Sequence, residues 1–206
     1  MTLSASEVNN IKQVHSTDGV LPAIHQRWSA RAFADRDVSA ADLRRVFEAA
    51  RWAASSNNEQ PWRFVVGRRG TETHEKIFAS LMGFNQSWAG KAPVLILGVA
   101  KTRFSNNESP NGYAVYDLGA ASSYLTLQAT ALGLTTHQMG GFDKEKARTM
   151  LGIPEEYAFG SVIALGYQGE PETLANETLI QRETAPRERK GLDELVFAEW
   201  GEALGL

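Results

Sequence analysis

The amino-acid sequence predicts an α+β fold in which helices flank a mixed central sheet. Three apolar segments, at residues 64–66, 92–100 and 159–167, predict strands, and a fourth strand is predicted at 135–139. Helical patterns separate them, and one long, nearly all-apolar helix is predicted from about 113 to 132. Because strands and helices do not alternate in a regular βαβ order, the sequence favours a mixed sheet over a doubly wound one.

The helices are placed in chain order by their start and stop residues. A short helix is predicted to begin near Val20, with Pro22 in its first turn. Ser39 is a good N-cap residue with Asp42 three positions on, and the apolar residues that follow line one face as far as Ala50. Further helices are predicted at 73–82 and 144–151, and a short one within 192–206.

Length and composition limit the classes of protein to consider. The 206 residues contain no repeat or low-complexity linker, so we expect one domain over residues 1–206, with a polar extension at 1–19 and a tail at 168–206. A net charge of -3 provides no basic surface for nucleic acid or anionic lipid, so neither is an expected partner. The chain has no cysteine, so any redox activity depends on a bound cofactor.

The sequence also predicts a cytoplasmic protein. Residues 1–13 are polar and lack the apolar core of a signal peptide. The apolar run at 113–134 has the length of a membrane span, but it contains Asp117 and Gln128. A buried helix is therefore the better interpretation.

Several common catalytic motifs are absent from the sequence. No G-x-G-x-x-G motif follows a predicted strand, and there is no G-x-S-x-G nucleophile elbow. The four histidines lack the spacing of metal ligands, so no metal site is expected. The sequence therefore does not support a Rossmann dinucleotide site, a serine hydrolase or a zinc enzyme.

Two polar segments in the first third of the chain carry the first functional indication. They are residues 27–31 (RWSAR) and residues 55–62 (SSNNEQPW). In an extended segment, residues two apart point the same way, so Arg27 and Ser29 together suit a phosphate and a sugar-like chain. Asn58 offers an amide donor and an acceptor. Alone, each segment is as well explained by a solvated turn or by a loop that leads into a strand.

Two further segments lie in the second half of the chain. Residues 131–143 (ALGLTTHQMGGFD) combine a helix end, a predicted strand and a loop. In that loop, Gly140 and Gly141 allow the backbone to approach a planar ring closely. Residues 187–190 (RERK) place two arginines two positions apart. A plain Gly-Gly turn and a solvated charged face are the alternatives for these two segments.

In this order and spacing, the four segments resemble the nitroreductase family of FMN enzymes. Together with the helix start at 116–119, the resemblance covers about residues 21–196. It implies a nitroreductase-like α+β fold with a mixed sheet between helices, and an intertwined homodimer. It also implies two FMN sites in the dimer interface, each built from both subunits, with the tail at 168–206 crossing onto the partner.

The resemblance also assigns roles to individual residues. Arg31 is the expected catalytic residue, because it would stabilise the reduced, anionic flavin at its pyrimidine edge. Arg187 and Arg189 would bind the phosphate, and the backbone N–H groups at 140–141 would lie next to flavin N5. Many family members carry an acidic residue where Gly140 stands, and we expect this difference to affect the substrate pocket. The expected cofactor-binding residues are Arg27, Trp28, Ser29, Arg31, Ser56, Asn58, Gln60, Gln138, Met139, Gly140, Gly141, Arg187 and Arg189.

Aromatic residues are the candidates for a substrate pocket above the flavin. Phe84, Trp88 and Phe142 are expected to line it, with residues 104–112 as a lid. Aromatic rings in these positions would favour planar acceptors. Ordinary core packing is the alternative for all three.

The activity implied by the resemblance is a ping-pong reaction. NAD(P)H would deliver hydride through FMN to a small-molecule electron acceptor such as a nitroaromatic or a quinone. Two alternatives stay open: an FMN-dependent dehydrogenase or ene-reductase with a specific metabolite, and a flavin-binding or sensing protein without turnover. The sequence indicates neither the physiological acceptor nor a preference between NADH and NADPH.

Overall fold

Helices and strands follow an irregular order in the computed structural model, which describes residues 3–13 and 19–206. The helices are α1 (Ala5–Lys12), α2 (Pro22–Gln26), α3 (Ala40–Arg51), α4 (Glu72–Ser80), α5 (Gly83–Ala89), α6 (Ala114–Ala131), α7 (Lys144–Leu151) and α8 (Glu177–Thr184). The strands are β1 (Trp62–Arg68), β2 (Val94–Lys101), β3 (Thr135–Met139), β4 (Tyr157–Gly166), β5 (Phe197–Glu199) and β6 (Glu202–Ala203).

The main sheet has four strands in the order β1-β2-β4-β3, and each neighbouring pair is antiparallel. In the central strand β2, Ile96 pairs with Val66 on one side and with Ile163 on the other. One isolated parallel bridge, between Ser29 and Thr136, places the segment before α3 beside the β3 edge. The predicted α+β fold with a helix-flanked sheet is confirmed.

Both faces of the sheet are covered, and two separate apolar clusters result. One cluster joins Val46 of α3 and Leu118 of α6 to the sheet. The other joins Ile77 of α4, Trp88 of α5 and Ala147 of α7 to the opposite face. Helices bury both faces, so β2 is apolar at nearly every position and does not alternate between apolar and polar residues. This agrees with the central buried strand that its sequence predicts.

Local sequence explains several element ends. Ser39 caps α3, because its hydroxyl accepts a hydrogen bond from the backbone N–H of Asp42 at 3.0 Å. Gly152 ends α7 in the left-handed conformation, with φ of 66°. The helix predicted within 192–206 is wrong beyond a single 3-10 turn at Leu192–Glu194. Gly201, with φ of 89°, lies in the turn between β5 and β6, which form a hairpin instead.

The predicted N-terminal extension at 1–19 lies partly outside the described residues, and its described part is folded. A capping box starts α1, and Val8 is fully buried in a small cluster with Trp28. Lys12, at the end of α1, donates its ammonium to the backbone carbonyls of Arg182 and Ala185. The N-terminal helix is therefore anchored to the C-terminal end of α8.

Helix α6 packs closely on the sheet with one side and is exposed on the other. A Cβ atom at Gly160 of β4 would lie 2.7 Å from Leu118 Cδ2, so a glycine permits the close contact. On the opposite side, Tyr116 is 78% exposed, and Val115 and Tyr124 are exposed as well. Within one chain, the helix is therefore not buried all round. No helix of the described ranges has both the length and the apolar character needed to span a bilayer.

The Gly67→Ala variant is expected to lower the free energy of unfolding by about 3 kcal/mol. A Cβ atom at this position of β1 would lie 2.4 Å from both Cα and N of His74, and backbone atoms cannot move aside as a side-chain end can. Urea denaturation measures the loss. Gly112→Ala is the matched control, because a Cβ atom there meets nothing within 4 Å. Equal losses in the two variants would contradict the backbone clash.

Candidate functional site

The first and fourth predicted segments meet at the β3 edge of the sheet. Residues 27–31 lie beside β3 through the parallel bridge described above. His137, on β3, donates its Nδ1–H to the backbone carbonyl of Ala30 at 3.0 Å. The guanidinium of Arg187 donates to the backbone carbonyl of Arg27 at 2.6 Å. Segments that are 160 residues apart in the sequence therefore build one edge site.

Positive charge is concentrated at this edge. Burial lowers the pKa of Arg27, and the neighbouring Arg189 lowers it further. Burial also lowers the pKa of Arg187, with repulsion from Arg189 and Arg27 added. The Nε atoms of Arg31 and Arg187 are buried and have no hydrogen-bond partner within the described ranges. Crowded, partly desolvated guanidinium groups suit a multiply charged anion such as a phosphate.

One carboxylate, Glu183 of α8, lies inside this cluster and is 0% exposed. Its oxygens accept hydrogen bonds from the backbone N–H of Arg31, at 2.9 and 3.0 Å, and of Ala32, at 2.9 Å. Gln168 adds a side-chain donor at 3.3 Å, and the Arg31 guanidinium lies 4.0 Å away. The sequence predictions missed Glu183. Its place four residues after the buried Leu179, on the inner face of α8, is the pattern that indicates it.

The third segment provides an open stretch of backbone directly after β3. A Cβ atom at Gly140 would meet nothing within 4 Å. The Gly141 carbonyl accepts two hydrogen bonds from the start of α5, at 2.9 and 3.0 Å, which hold the loop in place. Met139 is buried in the core, and the exposed Gln138 accepts a hydrogen bond from Ser161 at 3.2 Å. The accessible part of this segment is therefore its glycine backbone.

The second segment forms a tight loop that is held by its surroundings. Asn57, Asn58 and Gln60 all have positive φ, at 52, 54 and 50°. This left-handed conformation is costly for residues other than glycine, and it persists where neighbouring groups impose it. The buried Asp117 accepts a hydrogen bond from the backbone N–H of Ser56 at 3.1 Å. The first turn of α6 therefore positions the loop.

Residues 104–112, predicted as a lid, are tied to this same loop. The Glu59 carboxylate accepts hydrogen bonds from both the hydroxyl and the backbone N–H of Ser105. These bonds hold the pKa of Glu59 below its usual range. A backbone hydrogen bond from Phe104 N–H to the Ser109 carbonyl, at 2.9 Å, closes the segment on itself. The segment is thus anchored to the second segment in this structure.

The structure does not bring the second segment to the other three within one chain. The loop at 55–60 precedes β1 at one edge of the sheet, whereas residues 27–31 lie beside β3 at the opposite edge. Four strand spacings between them correspond to about 19 Å. Helices cover both faces of the sheet, so a ligand cannot reach from one edge to the other across a face.

Trp28 contacts α1 instead of the cationic cluster. Its Nε1–H donates to Asn9 Oδ1 at 3.0 Å, and the Lys12 ammonium lies 4.8 Å from the ring centre. Together with Arg27 it lines a cavity of about 240 Å³ beneath the N-terminal helix. The contacts of Trp28 in this structure therefore support α1.

The three aromatic residues predicted to line a substrate pocket fall into two groups. Trp88 is 2% exposed, and Phe142 is 3% exposed and packs edge-on against Phe159. The pocket-lining prediction is corrected for these two residues, because buried core rings present no surface to a substrate. Phe84 is 47% exposed, and the Arg182 guanidinium lies 5.0 Å from its ring centre.

The free energy of unfolding of the flavin-free protein is expected to fall by about 2 kcal/mol between about pH 7.5 and about pH 5, because His137 titrates in this range when the chain is unfolded. Burial and the nearby Arg31 lower its pKa from 6.5 to about 4. Between these two pKa values the unfolded chain binds more protons than the folded chain, so the free energy of unfolding falls as the pH falls. Urea denaturation at both pH values tests this.

His137→Phe is the matched variant for this pH dependence. It removes the titrating group, so its loss of stability between the two pH values should be about 2 kcal/mol smaller. His74, whose pKa burial also lowers, remains in both proteins and contributes equally. An identical pH dependence in the two proteins would contradict the assignment to His137.

Fold and candidate site together define a class of protein: an α+β chain that carries a cluster of partly buried arginines and a glycine loop at one edge of its sheet. Comparison with known proteins gives the family. The nitroreductase family model matches residues 24–86 and 68–167, which is most of the chain. The chain belongs to the nitroreductase family, as its resemblance predicts, and the matched regions contain the first three of the four segments.

The chain is also similar to individual proteins and solved structures. An uncharacterized 15.4 kDa protein of Mycolicibacterium smegmatis is 37% identical over 150 residues, which cover 69% of this chain and 99% of that protein. A protein of Archaeoglobus fulgidus, provisionally named NADH dehydrogenase/NAD(P)H nitroreductase, is 32% identical over 151 residues, which cover 71% of this chain and 84% of that protein. The crystal structure of an oxidoreductase containing FMN superposes with a TM-score of 0.83 at 32% identity, and the superposition covers 89% of this chain and 93% of that one.

Proposed function

We propose that this chain is an FMN-dependent oxidoreductase that uses NAD(P)H to reduce a small electron acceptor, such as a nitroaromatic or a quinone, by a ping-pong mechanism. The observation that carries the proposal is the cationic cluster at the β3 edge, together with the open glycine backbone that follows the other end of β3. The similarity to an oxidoreductase containing FMN supports it further. FMN supplies the hydride chemistry when bound, because the side chains of this chain cannot shuttle electrons reversibly.

The phosphate of FMN fits the cationic cluster. Arg27, Arg187 and Arg189 would hold it by their charge, and hydrogen bonds from Arg187 to the backbone carbonyls of Arg27 and His25 already fix the position of that guanidinium. Each charge-assisted hydrogen bond contributes about 1.5–3 kcal/mol. Three such bonds would account for tight retention of the cofactor.

The ring of FMN fits the other end of β3. The backbone at Gly140 and Gly141 would lie next to the ring, since a side chain there would limit how closely the chain approaches. Arg31 would place its positive charge at the pyrimidine edge, where negative charge develops on reduction. The side chain of Arg31 is 17% exposed, so its charge is only partly screened by water.

The second segment would be supplied by a second copy of the chain. Ser56, Asn58 and Gln60 lie at the sheet edge opposite the cationic cluster, so one chain cannot place both groups against one flavin. The exposed face of α6, with Tyr116 and Tyr124, offers an apolar surface for the contact. The site would therefore be complete only in a homodimer with two equivalent flavin sites.

Absorption spectroscopy of the FMN-loaded protein tests this function. Anaerobic NADH or NADPH should bleach the flavin bands, and a quinone or nitroaromatic should restore them. Bound flavin that neither nucleotide bleaches would overturn the proposed reaction and leave a flavin-binding or sensing protein. Failure to bind added FMN would overturn the cofactor assignment.

A further inference from the structure

Two charged residues outside the region matched by the family model surround the Arg31 position: Glu183 contacts Arg31, and Lys12 lies beside Glu183. The match ends at residue 167 and begins at residue 24, whereas Lys12 lies on α1 and Glu183 on α8. Glu183 binds the backbone of Arg31 and Ala32 and lies 4.0 Å from the Arg31 guanidinium.

The Lys12 ammonium donates hydrogen bonds to the backbone carbonyls of Arg182 and Ala185, which flank Glu183 in the chain. Burial lowers the pKa of Lys12, the charge of Glu183 opposes this change, and Arg31 and Arg187 add to it. Lys12 and Arg31 therefore both lie close to the buried charge of Glu183.

We propose that Glu183 is the positioning residue of Arg31, and that its buried negative charge, balanced by Lys12, lowers the reduction potential of the flavin bound beside Arg31. This inference rests on the proposed function, because it takes Arg31 to face the flavin.

The geometry predicts the direction in which Glu183 changes the reduction potential of the flavin. The two backbone hydrogen bonds fix the point from which the Arg31 side chain leaves the segment. The carboxylate behind the guanidinium opposes its field, and the opposition is strong because both groups are shielded from water. Reduction adds negative charge to the flavin, so Glu183 disfavours the reduced form and Lys12 favours it.

The test compares three variants with the unaltered holoenzyme. Glu183→Gln keeps the shape and removes the charge, Glu183→Asp keeps the charge, and Lys12→Met removes the balancing cation. Glu177→Gln is the control, since it removes an exposed carboxylate from the same helix. The dissociation constants of oxidised and reduced FMN are measured, together with the midpoint potential of the bound flavin.

Glu183→Gln should raise the affinity for reduced FMN relative to oxidised FMN about tenfold, which for a two-electron couple corresponds to about 30 mV. Lys12→Met should shift the potential in the opposite direction. Glu183→Asp and the control should stay near the unaltered value. Opposite signs in Glu183→Gln and Lys12→Met cannot arise from a general loosening of the site.

A purely structural Glu183 would give a different result. Glu183→Gln would then weaken the binding of oxidised and reduced FMN equally and leave the midpoint potential unchanged, which would overturn the proposal. Shifts of the same sign in Glu183→Gln and Lys12→Met would also overturn it. If Glu183→Gln does not fold, an unchanged potential in Lys12→Met serves as the overturning result. An unaltered chain that binds no FMN overturns the proposed function itself, and this outcome is seen before any variant is made.

Discussion

FMN is expected to bind at least about 100-fold more weakly to the Arg27→Gln/Arg189→Gln variant than to the unaltered chain. The variant removes two cations from the cluster at the β3 edge, where burial and mutual repulsion already lower the pKa of Arg27. Two charge-assisted hydrogen bonds of about 1.5–3 kcal/mol each account for the size of the effect. Fluorescence titration of FMN with the flavin-free protein measures the dissociation constant.

The matched control is Arg44→Gln/Arg45→Gln. It removes the same net charge from exposed positions of α3, away from the β3 edge. The affinity for FMN should change less than about threefold, because distant exposed charges are largely screened. If both double variants weaken the binding of FMN equally, the phosphate is bound by general electrostatic attraction to the protein surface and not by the cluster.

Mixing two FMN-deficient chains is expected to restore about one quarter of the flavin sites if each site takes its parts from both copies. One chain carries Arg27→Gln/Arg189→Gln, and the other carries Asn58→Gly/Gln60→Gly. Glycine is chosen because it keeps the left-handed backbone of these two positions while removing their amides. After joint refolding, about half of the dimers are mixed, and each mixed dimer has one site with both parts intact.

The number of restored sites separates the two arrangements. If one chain supplied all parts of its own site, every site in the mixture would carry one defect, and mixing would restore nothing. Refolding each variant alone is the control for recovery without exchange. Light scattering of the same samples gives the mass, and a monomeric chain that still binds FMN would contradict the two-chain site directly.

Patterns between residues that are close in the sequence account for most of the fold prediction. The cap at Ser39, the stop at Gly152 and the apolar run at 92–100 depend on spacings of a few residues, which the chain shows directly. The C-terminal hairpin was missed because Gly201 turns the chain there, and a stretch of mixed residues at 192–206 fits either conformation. For a related reason the sequence does not decide whether Trp88 and Phe142 are buried, since an aromatic residue suits both a core and a pocket.

The four ordered segments were enough to predict membership of the nitroreductase family, which is confirmed. The roles of Arg27, Arg31, Arg187 and Arg189 stay predictions. Nothing in a linear pattern places residues 27–31 at one edge of the sheet and residues 55–60 at the other. Strand order does so, and it is what makes a second copy necessary in the proposed site.

Glu183 shows the same division most clearly. The sequence contains it as one acidic residue in an ordinary amphipathic helix, and periodicity says only that it faces inward. Its contacts with Arg31 and Ala32 join residues more than 150 positions apart. Helix ends and strand patterns can be predicted from the sequence, because they depend on residues that are close together in the chain. The pairing of a buried charge with its partner depends on which distant surfaces fold together, and only the three-dimensional structure contains that information.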